Sequence, residues 1–137
     1  MISAKGRYAL RVMVHLAEQA QPVPLTEIAE RQEISLKYVQ VITNLLLENG
    51  FIAYEGSDIR LTRPPEAYTA GEILELAEES LSMVACLSPG AEPCSRAAEC
   101  RTLPMWKRFN TVVHDFFYGI TLKDLMADPC FYNNVLV

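Results

Sequence analysis

No apolar run in this chain reaches the roughly 18–20 residues that a membrane-spanning helix requires, so no spanning helix is expected. The opening segment Met1-Ile2-Ser3-Ala4-Lys5-Gly6-Arg7-Tyr8 lacks the basic, apolar and cleavage regions of a secretory signal, and the expected location is the cytoplasm. Glycine is sparse, with 6 in 137 residues, and none forms a loop of the kind that cradles a phosphate. Histidine occurs only as His15 and His114, on separate helical segments. No nucleophile–histidine pattern and no carboxylate pair in an evident cleft stands out, so neither an enzyme nor a small-molecule substrate is expected. Basic charge is also in deficit, with 12 Lys and Arg against 17 Asp and Glu, which rules out a chain that is cationic all over.

What is there is unevenly placed. Residues 1–65 carry Lys5, Arg7, Arg11, Arg31, Lys37, Arg60 and Arg63, matched by as many acids, and the whole excess of negative charge lies beyond residue 65. Half of the residues are hydrophobic, the composition of a folded protein. The length fits one domain with an extension for self-association. The expected division is a DNA-facing part, residues 1–65, and a dimerisation and cysteine-loop part, residues 66–137.

The apolar periodicity predicts a helix over 3–20 with Ser3 as N-cap, ended by Pro22 and Pro24. Thr26 then caps a short helix, Glu27–Gln32. Glu33-Ile34 turns, and Ser35 caps a third helix, Leu36–Glu48, closed at Asn49-Gly50. A short helix, a turn and a capped second helix make a helix-turn-helix. Phe51–Tyr54 and Ile59–Thr62 read as two strands around the turn Glu55–Asp58, which is a β-hairpin in the position of a wing. Thr69 and Glu72 form a capping box that opens a helix running to about Glu79. Residues 82–101 are a loop. Thr102 caps a long helix, Leu103–Tyr118, with Trp106, Phe109, Val113, Phe116 and Phe117 in its apolar stripe. A domain this small cannot cover such a helix, so a second copy is the expected cover. Gly119 ends it, Thr121 with Asp124 caps a last short helix, and the tail Pro129-Cys130-Phe131-Tyr132 is expected to pack. The fold class is therefore mainly α: a winged helix-turn-helix with a long C-terminal dimerisation helix and a small hairpin.

A recognition helix presents its N-terminal residues to base edges in the major groove. Ser35, Lys37, Tyr38 and Gln40 occupy that position. Lys37 can donate to guanine or phosphate, Gln40 can pair with adenine, and Tyr38 suits a phosphate. Ser35 has a competing role as N-cap. Lys5 and Arg7 open the first helix and are expected to meet phosphates, and Arg60 is the cation of the wing.

Cys86, Cys94 and Cys100 crowd the loop before the long helix, with seven residues between the first pair and five between the second. Thiolates are soft ligands for iron–sulfur clusters and zinc. Structural zinc prefers four ligands and short Cys-x-x-Cys knuckles, which this chain lacks. A thiol switch and inert packed cysteines are the other readings of the same residues. Cys130 could complete a ligand set from the tail or simply pack there; Glu99 beside Cys100 reads as solvated.

Ordered motifs along the chain carry a resemblance: Lys5-Gly6-Arg7-Tyr8-Ala9-Leu10-Arg11, then Leu25–Arg31, Ile34-Ser35-Leu36-Lys37-Tyr38, Leu61–Pro65, the three cysteines, Trp106 and Ile120–Leu125. Together they resemble the winged-helix regulators that include IscR, NsrR, RirA and CymR. The cysteine spacing is most similar to the RirA type. The resemblance implies a cytoplasmic homodimeric transcription regulator that binds a double-stranded DNA operator. It implies a long helix crossing between protomers and a cluster, 2Fe-2S or 4Fe-4S, on Cys86, Cys94 and Cys100. Two departures stand out. The family's wing, Arg-Gly-Pro-x-Gly-Gly-Tyr, is shortened here to Glu55-Gly56-Ser57-Asp58-Ile59-Arg60, with carboxylates at its tip. The fourth-ligand positions of relatives hold Leu103 and Arg7.

The expected function is thus a DNA-binding regulator, acting as a repressor, whose operator affinity follows an iron–sulfur cluster that senses iron or redox state. The rival within the fold is a cofactor-free regulator controlled by thiol oxidation or a partner. The rival outside it is an interaction module that has lost DNA binding along with its wing.

Overall fold

The computed structural model describes residues 1–126; the expectations for the tail and for Cys130 lie outside the described residues. Six α-helices and one two-stranded sheet follow in the order α1 (Ala4–Glu18), α2 (Leu25–Gln32), α3 (Leu36–Glu48), β1 (Ile52–Glu55), β2 (Asp58–Leu61), α4 (Ala70–Ala77), α5 (Leu103–Tyr118) and α6 (Leu122–Met126). The chain is a mainly helical winged helix.

Each boundary has a local cause. Ser3 Oγ accepts the Gly6 N–H and starts α1, and Ser35 Oγ accepts the Tyr38 N–H and starts α3. Both satisfy donors that a helix start leaves unpaired. Glu33 ends α2 in the left-handed region, at φ 54°, and turns the chain into α3. Thr69 and Glu72 bond reciprocally at the start of α4, and Thr121 and Asp124 do the same at α6. Three expectations fail. Helix α2 starts at Leu25 behind Pro24, whose fixed φ suits an N-cap, so Thr26 lies inside the helix. Thr102 makes no side-chain cap to α5; its hydroxyl faces the Cys100 sulfur at 3.4 Å. Helix α4 also stops at Ala77, two residues short of expectation.

The hairpin turns through Gly56 at φ 65°, pairing Ile52 with Leu61 and Glu55 with Asp58. Val23 adds a bridge on the other side of β2, exchanging two backbone bonds of 2.9 Å with Ile59. One core joins these elements: Val12, Met13 and Leu16 of α1, Ile28 of α2, Val39, Ile42 and Leu46 of α3, Ile52 and Ile59 of the hairpin, then Tyr68, Ile73 and Leu122. Burial of these side chains contributes roughly 1.5–3 kcal/mol each before conformational entropy is charged against it. No residue of α5 is buried.

Candidate functional site

The core of α3 faces one way, through Val39, Ile42, Thr43 and Leu46. Lys37, Gln40, Val41, Asn44 and Glu48 face the other way and are exposed. Thr43 tucks its hydroxyl onto Val39 O at 2.9 Å, so its polarity is spent inside the helix. Ser35 is exposed, and its hydroxyl already accepts the Tyr38 N–H. Tyr38 is half-buried and meets Tyr8 edge to face, with ring centroids 5.6 Å apart.

That contact brings the start of α1 beside the start of α3. Arg7 and Arg11 lie 5.8 and 5.2 Å from the Tyr8 ring centroid. Arg11, which no sequence argument singled out, is fixed further by Gln32: its Nε donates to Gln32 Oε1 at 3.3 Å and its terminal nitrogen donates to Gln32 O. The readable signal was the interval of four between Arg7 and Arg11, which puts both on one helix face. Lys5 sits half-buried in the first turn of α1. The arrangement is a cationic, aromatic-backed edge next to the polar stripe of α3, which suits phosphate contacts beside a major-groove reader.

The wing is different. Arg60 is exposed on β2, with its Nε 3.5 Å from Glu55 Oε2 and another nitrogen on Leu61 O at 3.0 Å. Its charge is partly offset by the carboxylate across the hairpin. Arg63 turns inward: it lies 4.2 Å over the Tyr68 ring, donates to Ala67 O at 3.1 Å and approaches Glu72 at 3.6 Å. Tyr68 is fully buried, and its hydroxyl accepts the Thr62 and Arg63 N–H groups and donates to Phe51 O at 2.6 Å. This strut ties the base of the wing to α4.

The cysteines occupy the long connection from α4 to α5. Cys86 lies in a single 3₁₀ turn, Ala85–Leu87, and Cys94 in the exposed stretch beyond it. Cys100 lies just before α5. The Thr102 hydroxyl, and then the backbone N–H groups of Thr102 and Leu103, hold its thiol below the usual range. All three are unpaired thiols. Among the described residues, no three or more His, Cys, Asp or Glu side chains are gathered as a metal-ligand set. The donor chemistry fits an iron–sulfur cluster, since the thiols are free, soft and confined to one loop. Gathering them as one ligand set needs the connection between α4 and α5 to rearrange. At the base of the loop, Asn110 of α5 donates to Ser82 Oγ at 2.7 Å. Met1, Ile2, Leu81, Met83, Val112 and Phe116 line an adjoining cavity of about 340 Å³.

A model of the family described as Rrf2, iron-dependent transcriptional regulator, matches residues 2–128. The chain belongs to the Rrf2 family. Its Rrf2 relatives include the HTH-type transcriptional regulator IscR of Aliivibrio salmonicida, 34% identical over 132 residues that cover 93% of this chain and 77% of the relative. Among solved structures, CymR of B. subtilis, described as a global cysteine regulator, has a TM-score of 0.73 and 30% identity, covering 93% of this chain and 98% of its own. T. potens IscR has a TM-score of 0.73 and 26% identity, covering 96% of each chain. This Rrf2 chain is accordingly a DNA-binding transcriptional regulator and not an enzyme. No described helix is long and apolar enough to cross a membrane.

Proposed function

We propose that this Rrf2 regulator is a cytoplasmic homodimeric repressor whose operator affinity is set by an iron–sulfur cluster on Cys86, Cys94 and Cys100. The observation that carries the reading is three free thiols in the one connection that joins α4 to the uncovered helix α5. The family's iron-dependent description and the likeness to IscR support it. When bound, the cluster supplies a centre that changes with iron supply or oxidation. The protein's part is mechanical. Holding the three sulfurs together orders residues 82–101 and fixes how α5 meets the DNA-reading part, residues 1–65. Two recognition helices match half-sites one helical turn, roughly 34 Å, apart only at one such setting. In this reading Lys37 and Gln40 face bases, Ser35 and Tyr38 border them, Lys5 and Arg7 meet phosphates, and Arg60 is the wing's remaining cation.

Anaerobic purification of wild type and Cys94→Ala, with a visible spectrum and iron and sulfide analysis, tests the proposal. The expected result is a coloured wild type holding iron and sulfide and a colourless variant. A wild type that stays colourless after anaerobic reconstitution overturns it. A second reading, control by thiol oxidation without a cofactor, is favoured by the likeness to CymR, which in Staphylococcus aureus has a structure of an oxidized form, and by no ligand set being gathered among the described residues. It predicts that operator affinity follows oxidant and reductant in the colourless protein.

A further inference from the structure

The face of α3 that points directly away from the core consists of Lys37, Val41, Asn44 and Glu48. These residues recur at the three- and four-residue intervals that align side chains on a helix, opposite the buried Val39, Ile42 and Leu46. Three of the four are polar or charged. Val41 is apolar, sits in the middle of the stripe and is 47% exposed. It contributes nothing to the core, and a β-branched residue is a poor choice for an exposed helix position on propensity alone. A single exposed apolar side chain is ordinary elsewhere on a surface. On the outward centre of a recognition helix it meets a surface whose apolar feature, among the base edges of the major groove, is the C5-methyl group of thymine.

We infer that Val41 reads a thymine methyl in each operator half-site, making it a specificity-determining residue. The inference rests on α3 being the groove-reading helix. Its flanks fit the role. Lys37, one turn earlier, supplies a donor for guanine or phosphate, Gln40 can bridge the two acceptor and donor positions of adenine, and Asn44, nearly one turn later, offers the same bidentate edge. An apolar contact between such polar groups discriminates thymine from cytosine by methyl burial, and from purines by the space a methyl needs. Valine's second methyl gives it reach to a neighbouring sugar or base face without any unpaired polar atom. Because the side chain is exposed and free of the core, shortening it removes the contact while leaving the fold intact.

The test uses the full-length protein and random-sequence duplex DNA, from which bound sequences are selected and the enriched half-site is read. Each thymine of that half-site is then replaced singly by deoxyuridine, which pairs identically and lacks the methyl group. The expected result is one thymine per half-site whose replacement weakens wild-type binding about fourfold, the loss of one buried methyl group. Val41→Ala should bind the thymine operator more weakly and be indifferent to that same replacement. Val41→Thr, which keeps one methyl, should retain part of the preference. If a half-site is selected and no uridine replacement affects wild type more than Val41→Ala, the inference is overturned while the DNA-reading role of α3 stands. If no sequence is enriched at all, both fall together.

Discussion

The guanidinium of Arg63 lies 4.2 Å above the ring of Tyr68, and the hydroxyl of that ring holds three backbone groups at the base of the wing. Tyr68→Phe removes the hydroxyl, leaves the Arg63 N–H without a partner in a part-buried site, and leaves the Thr62 N–H and Phe51 O with only their own long 3.4 Å bond and the Thr62 hydroxyl. Unpaired groups there cost about 1–3 kcal/mol. The expected loss is about 2 kcal/mol, read by urea denaturation. Arg63→Ala, which removes a stacked and half-exposed cation, should cost about 1 kcal/mol. A Tyr68→Phe protein as stable as wild type would show that the strut does not hold the wing.

The ring of Tyr118 is packed so closely on Gly71 that a Cβ there would collide with it. Burial, and then the Glu75 carboxylate to which the hydroxyl donates, push that hydroxyl up to about 12, so it remains a donor at any physiological pH. Within an ordinary helix a glycine-to-alanine change stabilises by about 1 kcal/mol. Here the sign should reverse. Gly71→Ala is expected to destabilise by about 1–3 kcal/mol by forcing α5 away from α4. Truncating the ring in Gly71→Ala/Tyr118→Ala should relieve that clash, a coupling that a double-mutant cycle on thermal unfolding measures directly. Additive losses would mean that the cost of Gly71→Ala does not come from the Tyr118 ring.

His15 is buried between α1 and α2. Gln32 Nε2 lies 3.1 Å from its Nδ1, and its Nε2 has no partner among the described residues. The Arg11 bond to Gln32 Oε1 turns the amide nitrogen toward the ring, so Nδ1 accepts and Nε2 carries the hydrogen of the neutral form. Burial first lowers its pKa below 6.5, opposed by Glu27 and Glu18 and aided by Arg31. A base with a lowered folded pKa binds more protons unfolded, so its contribution is complete above pH 6.5 and is lost as pH falls toward the folded value. Stability measured by urea denaturation should therefore decline below about pH 6.5, and His15→Gln should flatten the decline. An unchanged slope in the variant would assign the pH dependence to the carboxylates.

Short-range features were legible in the sequence, and long-range ones were not. Ser3, Ser35 and the Thr69–Glu72 box announced their helices because a cap is a contact over three residues, and the ends of α3 and α5 fell where turn residues put them. Thr26 misled because the proline before Leu25 supplies extended backbone without a capping side chain. Thr102 misled because its hydroxyl turns to the Cys100 sulfur instead. The Tyr68 hydroxyl reaches Phe51, 17 positions earlier, and Arg63 folds back over an aromatic ring; neither contact has a periodicity to betray it. At the candidate site, the exposed stripe of α3 followed from its repeat. The placement of Tyr8 and Arg11 against Tyr38 and Gln32 required the tertiary packing of α1 on the helix-turn-helix.

Helix α5 carries Met105, Phe109, Val112 and Phe116, spaced by four, three and four residues and 54, 40, 58 and 47% exposed. That alternation is the spacing a two-stranded coiled-coil seam requires, and water is a poor partner for a continuous row of large apolar side chains. Val112 and Phe116 of that row also line the cavity that Met1, Ile2 and Met83 help to form, so a partner helix would cover both. A second copy of α5 is the expected cover, and light scattering should report twice the 15.4 kDa of one chain. Val112→Glu places a charge in the middle of the seam and touches no core residue of its own chain. It should yield a folded monomer with the helical content of wild type. Its operator affinity should fall by far more than the loss of one contact, because two half-sites are then no longer read by one rigid body. A Val112→Glu protein that remains dimeric would place self-association on a different surface. It would also remove the proposed lever, by which a change in the cysteine loop would set the distance between two α3 helices.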